Sequence, residues 1–180
     1  MRNLVVRPNA IVQESVFESL TALVRDPALY PNVMSEVVRW VNEDEPRRSA
    51  GLQAFLRLAT PGEDGQVAIL PGVGEQNLGW LADLWRVALR DDKQAGAAAR
   101  LASRWLDVAA RDQAPREPVL QILAGSCQSS IDVGRIAWIA FAEVGPRENN
   151  PARYDIATDL VQRTWKRDPI YTRRLVDEQS

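Results

Sequence analysis

The sequence predicts an all-α protein built as a stack of antiparallel helices, about nine of them. Two observations carry that expectation. Apolar residues recur every three or four positions through most of the chain, with Pro, Gly and Asp marking the breaks. A set of matched residues also reappears 65 positions further on, as between Arg25 and Arg90.

The first predicted helix runs from Ile11 to Val24, with Val12, Val16, Phe17, Leu20, Leu23 and Val24 on its apolar stripe and Asp26-Pro27 as its stop. A second begins near Pro31, a favourable first-turn position, and turns Val33, Val37, Val38 and Val41 inward before EDEP ends it. Its valines are mediocre helix formers, so packing must hold it. A third spans Arg47 to Ala59 with Leu52, Phe55, Leu56 and Ala59 on one face. Between Thr60 and Asn77 the helical pattern lapses, and TPGEDGQVAILPGVGEQN reads as a linker. VAIL alone resembles a strand but has no partner, so the expectation is an extended segment that plugs Ile69 and Leu70 into the core.

Asn77 is expected to cap a fourth helix carrying Leu78, Leu81, Trp85, Ala88 and Leu89. The alanine-rich stretch from Lys93 to Arg111 makes a fifth, with Leu101, Trp105 and Val108 inward. Pro115 opens a shorter helix that holds Val119, Leu120 and Leu123 and stops at Gly125. Ser129 or Ser130 caps the next, which passes Ile136, Ala140 and Val144 to Gly145-Pro146. Asn150 and Pro151 start a helix that packs Tyr154, Ala157, Val161 and Trp165, and a last short one covers Ile170 to Val176. The whole is expected to be a single all-helical domain over residues 1–180.

Composition bounds the chemistry. The 22 basic residues nearly balance 24 acidic ones, so the overall field gives no reason to attract nucleic acid or an anionic membrane. All the basic residues except Lys93 and Lys166 are Arg, which with the abundant Ala points to GC-rich coding. Histidine is absent, which removes the commonest general base, the Ser-His and Cys-His nucleophile pairs, and most zinc sites. The single Cys127 excludes an internal disulfide and a cysteine-rich metal site. No cofactor, metal or catalytic residue is therefore expected. The start, MRNLVVRPNA, has too short an apolar run for a secretory signal, and no segment has the length of a membrane span. The default location is the cytoplasm.

In the 65-residue shift, Arg25-Asp26 falls on Arg90-Asp91 and Arg39-Trp40 on Arg104-Trp105. Leu20 meets Trp85, Leu23 meets Ala88, Val24 meets Leu89, Val33 meets Ala98 and Val41 meets Leu106, without a gap. Repeat units are expected at about 11–75 and 76–145, with a partial third over 146–180 signalled by Arg167-Asp168-Pro169. This arrangement resembles the HEAT and armadillo class of helical repeats, and is similar in texture to helical-repeat segments attached to regulatory NTPases of actinobacteria. The resemblance implies a scaffold, adaptor or regulatory module of a larger bacterial system that binds another protein and does no chemistry itself.

Individual residues divide between framework and surface. Adjacent helical positions point about 100° apart, so Trp40 and Trp105 can turn inward while Arg39 and Arg104 face water, with Glu36 or Glu43 and Asp107 as their ion-pair partners. Gly72-Val73-Gly74 could offer N–H groups to an anion, but no Lys-Ser/Thr pair follows, and a plain turn explains it. Ser126, Cys127, Ser129 and Ser130 read as loop and cap, since no nearby base could activate a nucleophile. Glu43, Asp44 and Glu45 beside Arg47-Arg48 read as a solvated turn, and Asp155 with Asp159 as a response to the helix dipole. The candidate interaction surface is the basic C-terminal cluster of Arg163, Lys166, Arg167, Arg173 and Arg174, interleaved with Trp165 and Tyr171. An acidic protein partner suits it, and nucleic acid is the alternative.

Overall fold

The structure is a computed structural model that describes residues 10–70, 75–142, 147–166 and 168–179. Among these residues the protein is all-helical. The helices are α1 Ala10–Val24, α2 Tyr30–Val41, α3 Arg47–Leu58, α4 Glu75–Arg90, α5 Ala95–Arg111, α6 Arg116–Gly125, α7 Ser130–Phe141, α8 Pro151–Arg163 and α9 Pro169–Gln179. An isolated antiparallel bridge between Pro61 and Val67 is the sole extended pairing among the described residues. No helix there is long and apolar enough to cross a membrane. The chain forms two compact units, Met1–Gly74 and Glu75–Ser180.

In the first unit α1, α2 and α3 each pack on the other two. The valine-rich stripe of α2 buries Val33, Val37 and Val41 together with Met34 and Trp40, which supplies the packing that its weak helix propensity requires. Gly51 sets how closely α3 approaches α2, because a Cβ at that position would lie 2.8 Å from both Trp40 Cβ and the Val41 backbone nitrogen. The linker then inserts Val67, Ala68, Ile69 and Leu70 into the core. Tyr30 holds it there by donating its hydroxyl hydrogen to the Ile69 carbonyl at 3.1 Å.

In the second unit α4, α5 and α6 form another mutually packed trio, α5 and α6 carry α8, and α7 lies against α5 and α8. Trp85 and Trp105 meet edge to face at its centre, their ring centroids 5.0 Å apart. Val119, Leu120, Ile122 and Leu123 seal α6 against them without exposure. The short helix α9 packs on α8 and α7.

The Arg-Asp pairs acquire a physical role here. Asp26 Oδ1 accepts the Ala28 N–H at 2.9 Å, and its carbonyl accepts from Leu29 and Tyr30 as α2 begins. Asp91 Oδ1 accepts from Lys93 and Gln94 at 3.0 Å, and its carbonyl from Gln94 and Ala95 as α5 begins. The carboxylate thus stands in for backbone acceptors in the turn, the usual reason for aspartate there. Helices α2 and α5 begin at Tyr30 and Ala95, one shift apart.

Several expectations need correction. Asn77 is not a cap: α4 starts at Glu75, and Asn77 is buried inside its first turn. The fifth helix starts at Ala95, because Asp91 organises the residues before it into a turn. Trp165 lies beyond the end of α8 at Arg163 and is 38% exposed, in contrast to the fully buried Ala157 and Val161. Asp107 accepts from Arg153 at 2.7 Å, a partner 46 positions away that the helical spacing to Arg104 does not suggest. The expected turn at Gly72-Val73-Gly74, the run from Val144 to Gly145-Pro146, and Arg167 lie outside the described residues.

Candidate interaction surface

The most unusual surface lies on α7, and its construction begins with a cap. Ser129 accepts from the Asp132 N–H, while Asp132 accepts from the Ser129 N–H at 3.1 Å, a reciprocal capping box. Asp132 also takes the Gln128 N–H at 2.9 Å and a forked pair of hydrogen bonds from Arg90 on α4. Burial pushes the Asp132 carboxyl upward, but Arg90 and the backbone donors outweigh it and hold the group below its ordinary value. Ser126 is turned into its own loop, donating to the Leu123 carbonyl at 2.7 Å, and Cys127 is buried beside it. These side chains fix where α7 starts.

The other end is fixed from α8. Arg153 is a buried cation that donates from Nε to Asp107 Oδ1, from Nη1 to the Ala140 carbonyl at 3.1 Å, and from Nη2 to Ser103 Oγ at 3.0 Å. Ala140 stands in the last turn of α7, where a helix has no carbonyl partner of its own. Asn150 places Arg153 by capping α8, accepting the Arg153 N–H at 3.2 Å.

Between these anchors α7 buries Val133, Ile136, Ala137, Ile139 and Ala140. Its opposite face presents Ile131, 68% exposed, and Trp138, 64% exposed. Seven residues make nearly two turns, so these side chains share a face about 10 Å apart. Exposed Arg135 stands on that face between them and makes no hydrogen bond or ion pair with any described residue. Tyr171 of α9 leans over Gly134, its hydroxyl 2.8 Å from where a Cβ would sit. Beyond Trp138 the aromatic surface continues through Phe141 to Tyr154, with centroids 5.8 Å apart, and Arg147 lies over Tyr154.

The sequence-predicted basic cluster, on α8, α9 and the segment between them, is less cationic than its residue count suggests. Arg163 Nη1 and Nη2 donate to Glu117 at 2.7 and 2.9 Å, and Nε to Asp159 at 2.9 Å. These bonds raise the guanidinium's proton affinity further and neutralise its charge locally. Arg173 pairs with Asp177 at 3.7 Å, and Lys166 and Arg174 are exposed. Ile170, 85% exposed, adds an apolar side chain at the start of α9. The Ile131–Trp138 pair is the feature that the sequence reading missed; IDVGRIAWIAF is apolar around most of its circumference, which is the signal that could have found it.

Elsewhere the first unit has two adjoining open clefts. One, of about 350 Å³, is lined by Val24, Arg25, Asp64 and Gln66; the other, of about 560 Å³, by Thr21, Arg25, Arg57 and Thr60. Arg57 in the second is engaged by Glu14. Among the described residues no three Cys, Asp or Glu side chains converge as a metal site.

Fold and surface together define an all-α protein that displays a partly aromatic helix face with Arg135 at its middle. No protein-family model, no curated protein and no solved structure matches the chain.

Proposed function

We propose that this protein is a non-enzymatic helical-repeat module, HEAT-like in its stacking, that binds another protein as an adaptor or regulatory part of a larger assembly. The observation that carries the reading is the solvent-facing Ile131 and Trp138 on a helix whose two ends are held by the Arg90–Asp132 and Arg153 networks. Exposed large apolar side chains grouped on one rigid element mark interaction sites more often than catalytic ones. Repetition of the Asp-centred turns, each leading into a helix that starts at Tyr30 or Ala95, at one constant shift supports the repeat, because stacked units reuse the same local devices.

The test is affinity purification of the full chain from native lysate, followed by reconstitution of any recovered complex from purified components. The expected result is a stoichiometric complex that survives moderate salt. Recovery of no partner at any ionic strength overturns the reading.

A further inference from the structure

We infer that the α7 face carrying Ile131, Arg135 and Trp138 is the docking site for an acidic amphipathic helix of the partner protein, an inference that rests on the binding function just proposed. The face is itself helical, rigidly held, and spaces its two large apolar side chains over nearly two turns. A second helix with apolar residues at the same spacing fits such a stripe, the usual logic of helix-to-helix recognition.

Charge decides which helix. Arg135 stands midway between the apolar anchors and engages no described carboxylate. An incoming Glu or Asp would pair with Arg135 between the two apolar contacts. A second copy of this chain is the wrong occupant. Antiparallel pairing of two α7 helices, Ile131 against Trp138, brings Arg135 against its own counterpart at the two-fold axis.

The full-length protein is titrated into two fluorescein-labelled helical peptides that share leucines at one-turn spacing and carry either Glu or Lys elsewhere. Fluorescence anisotropy is expected to show the Glu peptide bound and the Lys peptide not. Trp138→Ala should weaken the Glu peptide about tenfold or more, and Arg135→Glu should do the same while admitting the Lys peptide. Both side chains are exposed, so far-ultraviolet circular dichroism should be unchanged. Equal binding of the two peptides, binding of neither, or an Arg135→Glu variant of unaltered affinity overturns the inference. So does wild-type binding to phosphatidylserine vesicles or single-stranded DNA that Trp138→Ala abolishes, or a wild-type dimer that Trp138→Ala dissociates. If a partner recovered from lysate still binds both variants, the α7 assignment fails while the binding function stands.

Discussion

Arg153 is the side chain on which the position of α7 and α8 most depends, and its replacement gives the sharpest test of the fold's physics. Met in its place keeps most of the apolar stem but removes the guanidinium that bonds Asp107, Ala140 and Ser103. The Ala140 carbonyl then loses a partner in a buried place, which costs about 1 to 3 kcal/mol. Ser103 and Asp107 lose theirs too, but Ser103 is half-buried and the Asp107 side chain is 53% exposed, so water replaces much of what is lost. About 0.5 kcal/mol each is the corresponding estimate after that screening. Arg153→Met should therefore cost about 2 to 4 kcal/mol. Asp107→Asn leaves Arg153 bonded to Ala140 and Ser103 and still offers a side-chain oxygen, so about 1 kcal/mol is expected. Urea unfolding followed by circular dichroism gives the totals, and hydrogen exchange should place the loss in α7 and α8. If Asp107→Asn costs as much as Arg153→Met, the ion pair and not the capped carbonyl dominates; a cost below about 0.5 kcal/mol for Arg153→Met removes the argument altogether.

Gly51→Ala gains helix propensity but forces a methyl against Trp40 and the Val41 backbone; a net loss of about 1 to 2 kcal/mol is expected in urea, and a stabilised variant would show that α2 and α3 can separate freely. Trp40→Ala and Trp105→Ala should each cost about 3 to 5 kcal/mol, since both rings are buried, and near-native unfolding midpoints would contradict their core role. Burial pushes the Tyr30 phenol up to about 12, so ultraviolet titration should show a late ionisation that Tyr30→Phe removes. The stability it contributes is complete below the unfolded value near 10 and declines as pH rises toward 12; a titration unchanged in Tyr30→Phe would refute this. The Asp132 carboxyl is depressed, so its contribution is complete above the unfolded value of about 3.9 and is lost as pH falls through the lower folded one. Acid unfolding of Asp132→Asn should accordingly be less steep below about pH 4, and an identical acid limb would contradict the assigned Arg90 interaction.

Much of the helical layout was legible because helix boundaries and inward stripes are local properties. Val33, Val37 and Val41, the burial of Ile69 and Leu70 and the Asn150 cap are read from residues close in sequence, although Val67 to Leu70 close into a turn through the Leu70 N–H and the Val67 carbonyl instead of running extended. Long-range polar choices were not legible. Nothing in NNPARYD indicates that Arg153 will be buried against Asp107 and Ser103, because a buried arginine and a surface arginine look alike until partners from other helices arrive. Arg163 shows the converse: it belongs to a basic run in sequence, yet Glu117 and Asp159 engage it in space. For the candidate surface, inward periodicity located Ile136 and Ala140, but exposure of Ile131 and Trp138 depends on which elements leave that side of α7 uncovered.

The two Arg-Trp pairs separate framework from surface. Trp40 and Trp105 are both buried, whereas their arginine neighbours diverge: Arg39 joins Glu36 and Glu43, and Arg104 is exposed on α5. What recurs at the 65-residue shift is thus the packing and the aspartate turn. The same shift carries the first half of α7 onto residues 65–70, where the first unit has its buried linker segment. On the proposed repeat, α7 is therefore where the second unit departs from the first, replacing an inserted linker with a helix that turns Ile131, Arg135 and Trp138 outward. Residues that hold one unit together need reappear only in the next, but a partner-binding face is free to occur once, and on this chain the exposed apolar helix face coincides with that departure.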